Sequence, residues 1–291
     1  MLVIDPFFAP CQQKGKTQTT LRFALDCFEN RCIINVTCNS RKDSYKKEVF
    51  SMSKIYAHRG FSGKYPENTM LAFQKAVEIG VDGIELDVHL TKDNVLVIIH
   101  DEDIKRTSNG EGLVRDMTYD ELCKFDYSAG FAGVYGYNGI PTLKEYFDLV
   151  KDTDVITNIE LKTGIFEYPT IEKRVIDMIA EYGLEDRIIL SSFNHYTILR
   201  CEEINPAIKR GFLSESWLIN YGKYTKANNV QCCHPIFRFL SEETVKEMHD
   251  AGCEINTWTV NEYEDIKRLS DMGVDALIGN YPDRMIEVLR K

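Results

Sequence analysis

No two cysteines in this 291-residue chain stand at Cys-X-X-Cys spacing, although nine are present. That absence removes the usual signal for a zinc ribbon or a thioredoxin-like redox site. The cysteines are also badly placed for an extracellular disulfide framework: Cys232 and Cys233 are adjacent, while Cys123, Cys201 and Cys253 are scattered. They read as buried free thiols of a reducing cytoplasm. No apolar run reaches the ~18 residues of a membrane span. The first residues do not read as a secretory signal, because Asp5 interrupts the one apolar stretch and no basic segment precedes it. The expectation is a soluble cytoplasmic protein without stable membrane anchoring. Positive charge is scarce too: 35 Lys/Arg stand against 45 Asp/Glu, a net charge of -10. Phosphate backbones repel such a surface, so no nucleic-acid partner is expected. A small anionic substrate is not excluded, since a bound cation reverses the local field.

What is there is ordinary globular material, 44% hydrophobic and 27% charged. A chain of this size builds a core without disulfides or a structural metal. It falls into two unlike parts. Residues 1–51 hold Cys11, Cys27, Cys32 and Cys38, and their eight Lys/Arg against five Asp/Glu give +3. The remaining 27 against 40 give -13. Within the first part the apolar runs Leu21–Phe28 and Cys32–Val36 suit either a strand pair or a helix and a strand. Two readings of this part stand. It is a poorly ordered extension, or a mis-extended reading frame whose true start is Met52. Lys47-Glu48-Val49 is encodable as AAG-GAG-GTN, a ribosome-binding sequence a short distance upstream of Met52.

From Met52 onward strands and helices alternate. Strand signals are Ile55–Ala57, Val81–Val88, Val95–His100, Val155–Leu161, Arg187–Phe193, Arg210–Leu213, Val230–Cys233, Glu254–Thr259 and Ala276–Ile278. Helical spacing predicts Met70–Ile79 with Asn68 as its cap, then Thr170–Tyr182, His195–Ile204, Glu242–Ala251, Glu262–Met272 and Pro282–Leu289. This alternation predicts an α/β fold, a TIM-type β/α barrel, over residues 52–291. A doubly wound sheet is the alternative, but it usually carries a glycine-rich turn after its first strand. Glu102–Ile140, with six glycines, breaks the alternation and reads as a small insertion after the strand ending at His100.

The strand ends are unusually polar, and in a barrel the reactive groups collect there. Glu85 and Asp87 lie two apart on one strand, so they share a face. Ile84, Leu86 and Val88 suit the helix side, which puts the carboxylates inside. Buried side by side, they repel unless a cation lies between them. Glu160 falls the same way, with Lys162 beside it. Three converging carboxylates suit one hard divalent cation, Mg²⁺ or Ca²⁺; the competing reading is a core ion pair such as Lys162 with Glu160. His58 and His100 end separate strands and could face each other as acid and base, while Arg59 and Lys162 supply positive charge for phosphoryl oxygens.

These residues belong to an ordered set: His58-Arg59-Gly60, Pro66-Glu67-Asn68-Thr69, Glu85-Leu86-Asp87-Val88, His100-Asp101, Glu160-Leu161-Lys162, Ser191-Ser192-Phe193, Trp258-Thr259-Val260-Asn261 and Asn280-Tyr281-Pro282-Asp283. In that order the chain resembles the glycerophosphodiester phosphodiesterases from Ile55 to Asp283. The resemblance implies metal ligation by Glu85, Asp87 and Glu160, and acid–base work by His58 and His100. It implies phosphate binding by Arg59 and Lys162. Glu67 and Asn68 would support the substrate site from the first loop, and Trp258, with Phe193, would pack on glycerol carbons. The reaction implied is hydrolysis of a glycerophosphodiester to sn-glycerol 3-phosphate and an alcohol. Gly279-Asn280 departs from the family habit of threonine before the asparagine.

His89 shares the face of Glu85 and Asp87 and is a lesser candidate for the mouth. His195 reads as a surface or capping residue, and His234 and His249 carry no partner signal. Trp217 suits a pocket wall and a core position equally. One alternative function is a lysophospholipase D-type phosphodiesterase, with Phe125, Tyr127, Phe131, Tyr135 and Tyr137 as an apolar way in. The other is a non-catalytic phosphodiester-binding protein, which the retained histidines and carboxylates argue against.

Overall fold

The computed structural model describes residues 22–28, 31–37 and 49–290. The chain divides into two compact units, Met1–Ser51 and Met52–Lys291. In the first, β1 (Arg22–Phe28) pairs antiparallel with β2 (Arg31–Thr37), and β2 with β3 (Val49–Ser51). Of the two arrangements left open by the sequence, the strand pair forms. The reading of 1–51 as poorly ordered or mis-extended falls mostly on residues 1–21, 29–30 and 38–48, outside the described residues.

The second unit is a closed barrel. Eight parallel strands build it: β4 (Lys54–His58), β5 (Gly83–Leu90), β7 (Ile156–Leu161), β8 (Ile188–Ser192), β9 (Lys209–Ser214), β10 (Cys232–Pro235), β11 (Glu254–Thr257) and β12 (Ala276–Gly279). β12 pairs with β4 and β4 with β5, which closes the circle. The TIM-type barrel expected from the alternation is therefore the fold observed. β5 shows how the sequence dictates it. Its eight residues are all buried, because a barrel strand has helices on one side and barrel filling on the other. Ile84, Leu86 and Val88 join the main apolar core, while the alternate positions bring Glu85, Asp87 and His89 to the opposite face.

The segment Val95–His100 is not a barrel strand. β6 (Leu96–Ile98) pairs antiparallel with β5 as the second arm of a hairpin. Thr91–Asn94 is too short for anything else, since a parallel crossover needs a dozen or more residues. Thr91 closes the turn, its Oγ1 donating to Asp93 and accepting from the Val95 amide, and Asn94 takes the left-handed conformation at φ 63°. His100 thus arrives at the mouth from a hairpin that overhangs β5. The Ile99 amide donates to the Asp87 carbonyl at 3.0 Å, which pins that overhang.

The insertion that follows has its own small core of Val97, Ile99, Ile104, Val114, Leu122, Tyr127 and Ile140. Apart from the single turn Tyr119–Leu122, two helices appear that the periodicity did not single out, Leu143–Val150 and Tyr221–Ala227. The first carries a capping box, Thr142 with Glu145, which was legible in the sequence. Helix Met70–Glu78 is capped by Thr69, whose Oγ1 accepts from the Ala72 amide, and not by Asn68. Asn68 sits at φ 52° and turns its amide elsewhere. β10 lies two residues later than its apolar run suggested, because its inward face includes polar His234. That ring lies so close to Gly211 of β9 that no Cβ fits there.

Candidate active site

Three inward carboxylates lie at one end of the barrel. Glu85 and Asp87 come from β5 and Glu160 from neighbouring β7, where Asp87 stands in register with Glu160. All three are buried, and one oxygen of each lies within 4.8 Å of the others. Their charges strain against each other. Burial and then the Asp87 charge push Glu85 well above the usual carboxylate range, and burial raises Glu160 as well. Burial would raise Asp87 too, yet Lys162 and Arg59 hold it well below the usual value.

Two cations partly answer this charge. Lys162 Nζ donates to Glu160 at 2.8 Å and lies 3.7 Å from Asp87. Arg59 Nε lies 3.4 Å from Asp87, and the Arg59 backbone amide donates to Glu85 at 3.1 Å. The ion pair between Lys162 and Glu160, one of the two sequence readings, does form. It does not satisfy the cluster: Asp87 Oδ1 is buried and accepts no hydrogen bond. Three hard oxygen donors, one of them unpartnered, fit a divalent cation of the Mg²⁺ or Ca²⁺ type.

The histidines flank the same cavity, whose volume is about 230 Å³ and whose lining includes His58, Arg59, Glu85, His100, Glu160 and Trp258. His58 ends β4. Its Nδ1 lies 2.6 Å from Asn280 Oδ1, and its Nε2 lies 3.8 Å from Glu85. Because the Asn280 oxygen is an acceptor, Nδ1 carries the proton and Nε2 keeps its lone pair. Burial, with the Arg59 charge behind it, holds the ring down at about 3. His100 Nδ1 donates to Asp101 at 2.5 Å. Its backbone carbonyl accepts from His89 Nε2 at 3.1 Å.

Phe193 and Trp258 form an apolar wall, their rings edge-to-face at 5.5 Å, with Phe193 still 40% exposed toward solvent. Glu67 and Asn68 touch the site through other residues. Glu67 accepts from Arg59 at 2.9 Å, and Asn68 donates to Asp87 at 2.9 Å.

Other sequence candidates lie elsewhere. His89 is fully buried, held by Tyr168 and the His100 carbonyl, and lies outside the cavity lining. Trp217 is 67% exposed and packs on Phe239. His195 stacks on Phe212 and bonds to the Leu213 carbonyl and Tyr224. His249 pairs with Asp275.

Sequence reasoning passed over four residues. Asn158 lines the cavity two positions before Glu160, on the same strand face, a signal available from spacing alone. Glu215, just past β9, is an acidic strand end of the kind looked for elsewhere. Asn280 lies in the Asn280-Tyr281-Pro282-Asp283 segment, where nothing in the sequence pairs it with His58. Arg106 lies in the insertion, where nothing in the sequence marks its partners.

Known proteins match the chain over the barrel. The model of the glycerophosphoryl diester phosphodiesterase family matches residues 58–284. A glycerophosphodiester phosphodiesterase of Caldanaerobacter subterraneus subsp. tengcongensis is 42% identical over 237 residues, covering 81% of this chain and 98% of that protein. One from Bacillus altitudinis is 40% identical over 240 residues, covering 81% and 98%. Among solved structures, an Oleispira antarctica phosphodiesterase in complex with the product sn-glycerol-3-phosphate superposes with a TM-score of 0.74 at 26% identity, covering 82% of this chain and 98% of that one. The residues matched run from His58 at the end of β4 into the helix after β12, the whole circuit of the barrel, and the chain belongs to the glycerophosphoryl diester phosphodiesterase family.

Proposed function

We propose that the barrel unit, residues 52–291, hydrolyses glycerophosphodiesters to sn-glycerol 3-phosphate and an alcohol by acid–base catalysis between His58 and His100. The observation that carries this reading is the meeting of two histidines, a guanidinium, the buried carboxylates Glu85 and Glu160 and an aromatic wall in one cavity of about 230 Å³, with Asp87 clustered beside those two carboxylates. That volume suits a small head group better than a bulky one.

Each residue has a task. Phe193 and Trp258 take the glycerol carbons. Arg59 and Lys162 hold the phosphoryl oxygens as their charge grows in the transition state. His58, with its Nε2 lone pair free, removes the proton of the hydroxyl that attacks phosphorus, either that of water or that of the glycerol; in the second case water then opens the cyclic phosphate to sn-glycerol 3-phosphate. His100, oriented by Asp101, gives a proton to the leaving alcohol oxygen as the P–O bond breaks. Glu85, Asp87 and Glu160 would hold one divalent cation, which when bound neutralises charge on the phosphodiester. Glu67 and Asn68 steady Arg59 and Asp87.

A second reading, hydrolysis of lysophospholipids, draws on the loop after β9. Glu215 lines the cavity, and just beyond it Trp217 and Ile219 are 67% and 91% exposed, an apolar lip for an acyl chain. A mouse lysophospholipase D is 28% identical over 284 residues. The insertion aromatics do not serve that purpose uniformly, since Tyr127 and Phe125 pack into the insertion's own core.

Release of sn-glycerol 3-phosphate from glycerophosphocholine and glycerophosphoethanolamine, with Mg²⁺, Ca²⁺ or chelator, tests the main reading. Metal-dependent turnover that vanishes in His58→Ala is the expected result. Turnover of lysophosphatidylcholine alone would transfer the assignment to the second reading.

A further inference from the structure

Arg106 reaches two acidic residues at once. Its Nε and Nη2 donate to Asp101 at 2.6 and 3.1 Å, and its Nη1 and Nη2 donate to Glu67 at 2.8 Å each. Each carboxylate then holds a residue of the cavity. Asp101 accepts from His100 Nδ1, and Glu67 accepts from Arg59 Nη1. Arg106 itself does not line the cavity. It closes the 3-10 turn Ile104–Arg106, whose Ile104 is fully buried in the insertion core, so the insertion delivers it in a set position.

We propose that Arg106 is a positioning residue that fixes His100 and Arg59 together, through Asp101 and Glu67. This rests on the catalytic reading given above for His100 and Arg59.

Several observations favour that role over a surface ion pair. Exposed single pairs contribute little because each side chain gives up its freedom for one weak contact. Here one planar guanidinium makes four hydrogen bonds to two carboxylates, and on each of them it shares an oxygen with a cavity residue: Glu67 Oε1 with Arg59 and Asp101 Oδ1 with His100. The fork geometry is particular to arginine; an ammonium is a point charge and cannot present two parallel pairs to two acids. The charges follow the geometry. Hydrogen bonds donated to Glu67 and then to Asp101 raise Arg106, so it stays a cation. Burial works against Asp101 and Glu67 as anions, but the Arg106 bonds keep both below their usual values, Asp101 at about 2. The network also joins the first barrel loop, which carries Glu67, to Asp101 after the hairpin and to the insertion, which carries Arg106. Loss of its centre frees both walls of the cavity.

The test uses the full chain with Arg106→Ala and Arg106→Lys, assayed on glycerophosphocholine alongside the wild type. In Arg106→Ala, kcat falls roughly 10- to 100-fold, the size of loss that follows displacement of a catalytic group by about 1 Å, while KM also rises because Arg59 loses its anchor. Arg106→Lys keeps the charge but recovers little of kcat. Added guanidinium ion restores part of the activity of Arg106→Ala and none to Arg106→Lys, a response that a merely structural role does not give. Independently of turnover, the ¹⁵N imidazole resonances of His100, assigned by His100→Gln, move in Arg106→Lys while those of His249 stay. If both variants keep kcat and KM within twofold of wild type and the His100 resonances do not move, the proposal is wrong. If Arg106→Ala loses activity only in step with its folded fraction, and Arg106→Lys is fully active, the proposal is also wrong. Wild-type inactivity on glycerophosphodiesters would instead count against the catalytic reading, and the resonances would still report on the clamp.

Discussion

His89 Nε2 donates to the main-chain carbonyl of His100 at 3.1 Å, while its Nδ1 accepts from the Tyr168 hydroxyl at 2.9 Å. One buried imidazole thereby ties β5 to the end of the overhanging hairpin and sets where His100 begins. Burial holds this ring at about 4, so it stays neutral and serves as donor and acceptor at once. Replacement by leucine leaves a carbonyl and a hydroxyl without partners. His89→Leu is expected to cost about 1–3 kcal/mol for the buried groups it leaves unpaired. Its kcat falls roughly tenfold or more as His100 drifts. His89→Gln, which retains a donor, loses less of both. Thermal unfolding and steady-state kinetics on the pair read this directly.

Asn280 decides which nitrogen of His58 is free. Its Oδ1 faces Nδ1 at 2.6 Å, and an oxygen in that place accepts only from a protonated ring nitrogen. Asn280→Leu removes that acceptor and with it the tautomer preference. The expected loss is in kcat more than KM and approaches the ~10²–10⁴ that a positioned general base contributes. Asn280→Asp, which keeps an acceptor, retains more activity. Equal loss in the two variants would count against tautomer control.

The strained carboxylates make metal binding a stability measurement as well as an activity one. A cation that binds only the folded state stabilises it by about 2.7 kcal/mol at a hundredfold excess over its dissociation constant. Mg²⁺ or Ca²⁺ is expected to raise the unfolding temperature of the wild type, and a chelator to reverse it. Asp87→Asn removes an unpartnered ligand oxygen and its charge, and the shift disappears. An unchanged unfolding temperature with either ion would leave the carboxylates as an ion-pair network only.

His234 gives the barrel a pH dependence that can be worked out in sign. Burial, helped by the Lys209 charge, lowers its pKa from 6.5 to about 3. Between those values the unfolded chain binds a proton that the folded chain refuses. Stability is therefore fully present above about 6.5 and is lost as pH falls toward about 3. Urea unfolding at several pH values is expected to show that slope, to which buried His58 and His89 add with the same sign, and His234→Gln is expected to reduce it. Gly211→Ala, which drives a methyl group into the same ring, is expected to cost about 1–3 kcal/mol at neutral pH, the usual penalty of overpacking.

Much of this protein was legible without coordinates, and the reason is periodicity. Glu85 and Asp87 share a face because strand side chains alternate, and Ile84, Leu86 and Val88 name the other face by their chemistry. Eight such segments spaced by helices leave few ways to close a sheet. The sequence by itself therefore determined the barrel, the inward carboxylates and the polar strand ends. The hairpin at Thr91–Asn94 was legible too, since four residues cannot carry a parallel crossover, although the apolar run Val95–His100 by itself looks like a barrel strand. Tertiary structure alone decided the partners. Arg106 meets Glu67 and Asp101, Asn280 meets His58, and His89 meets the His100 carbonyl. His58 and Asn280 are 222 residues apart, and Arg106 and Glu67 are 39 apart. Hydrogen bonds depend on distance and direction in space, and no local pattern carries those across a closed barrel.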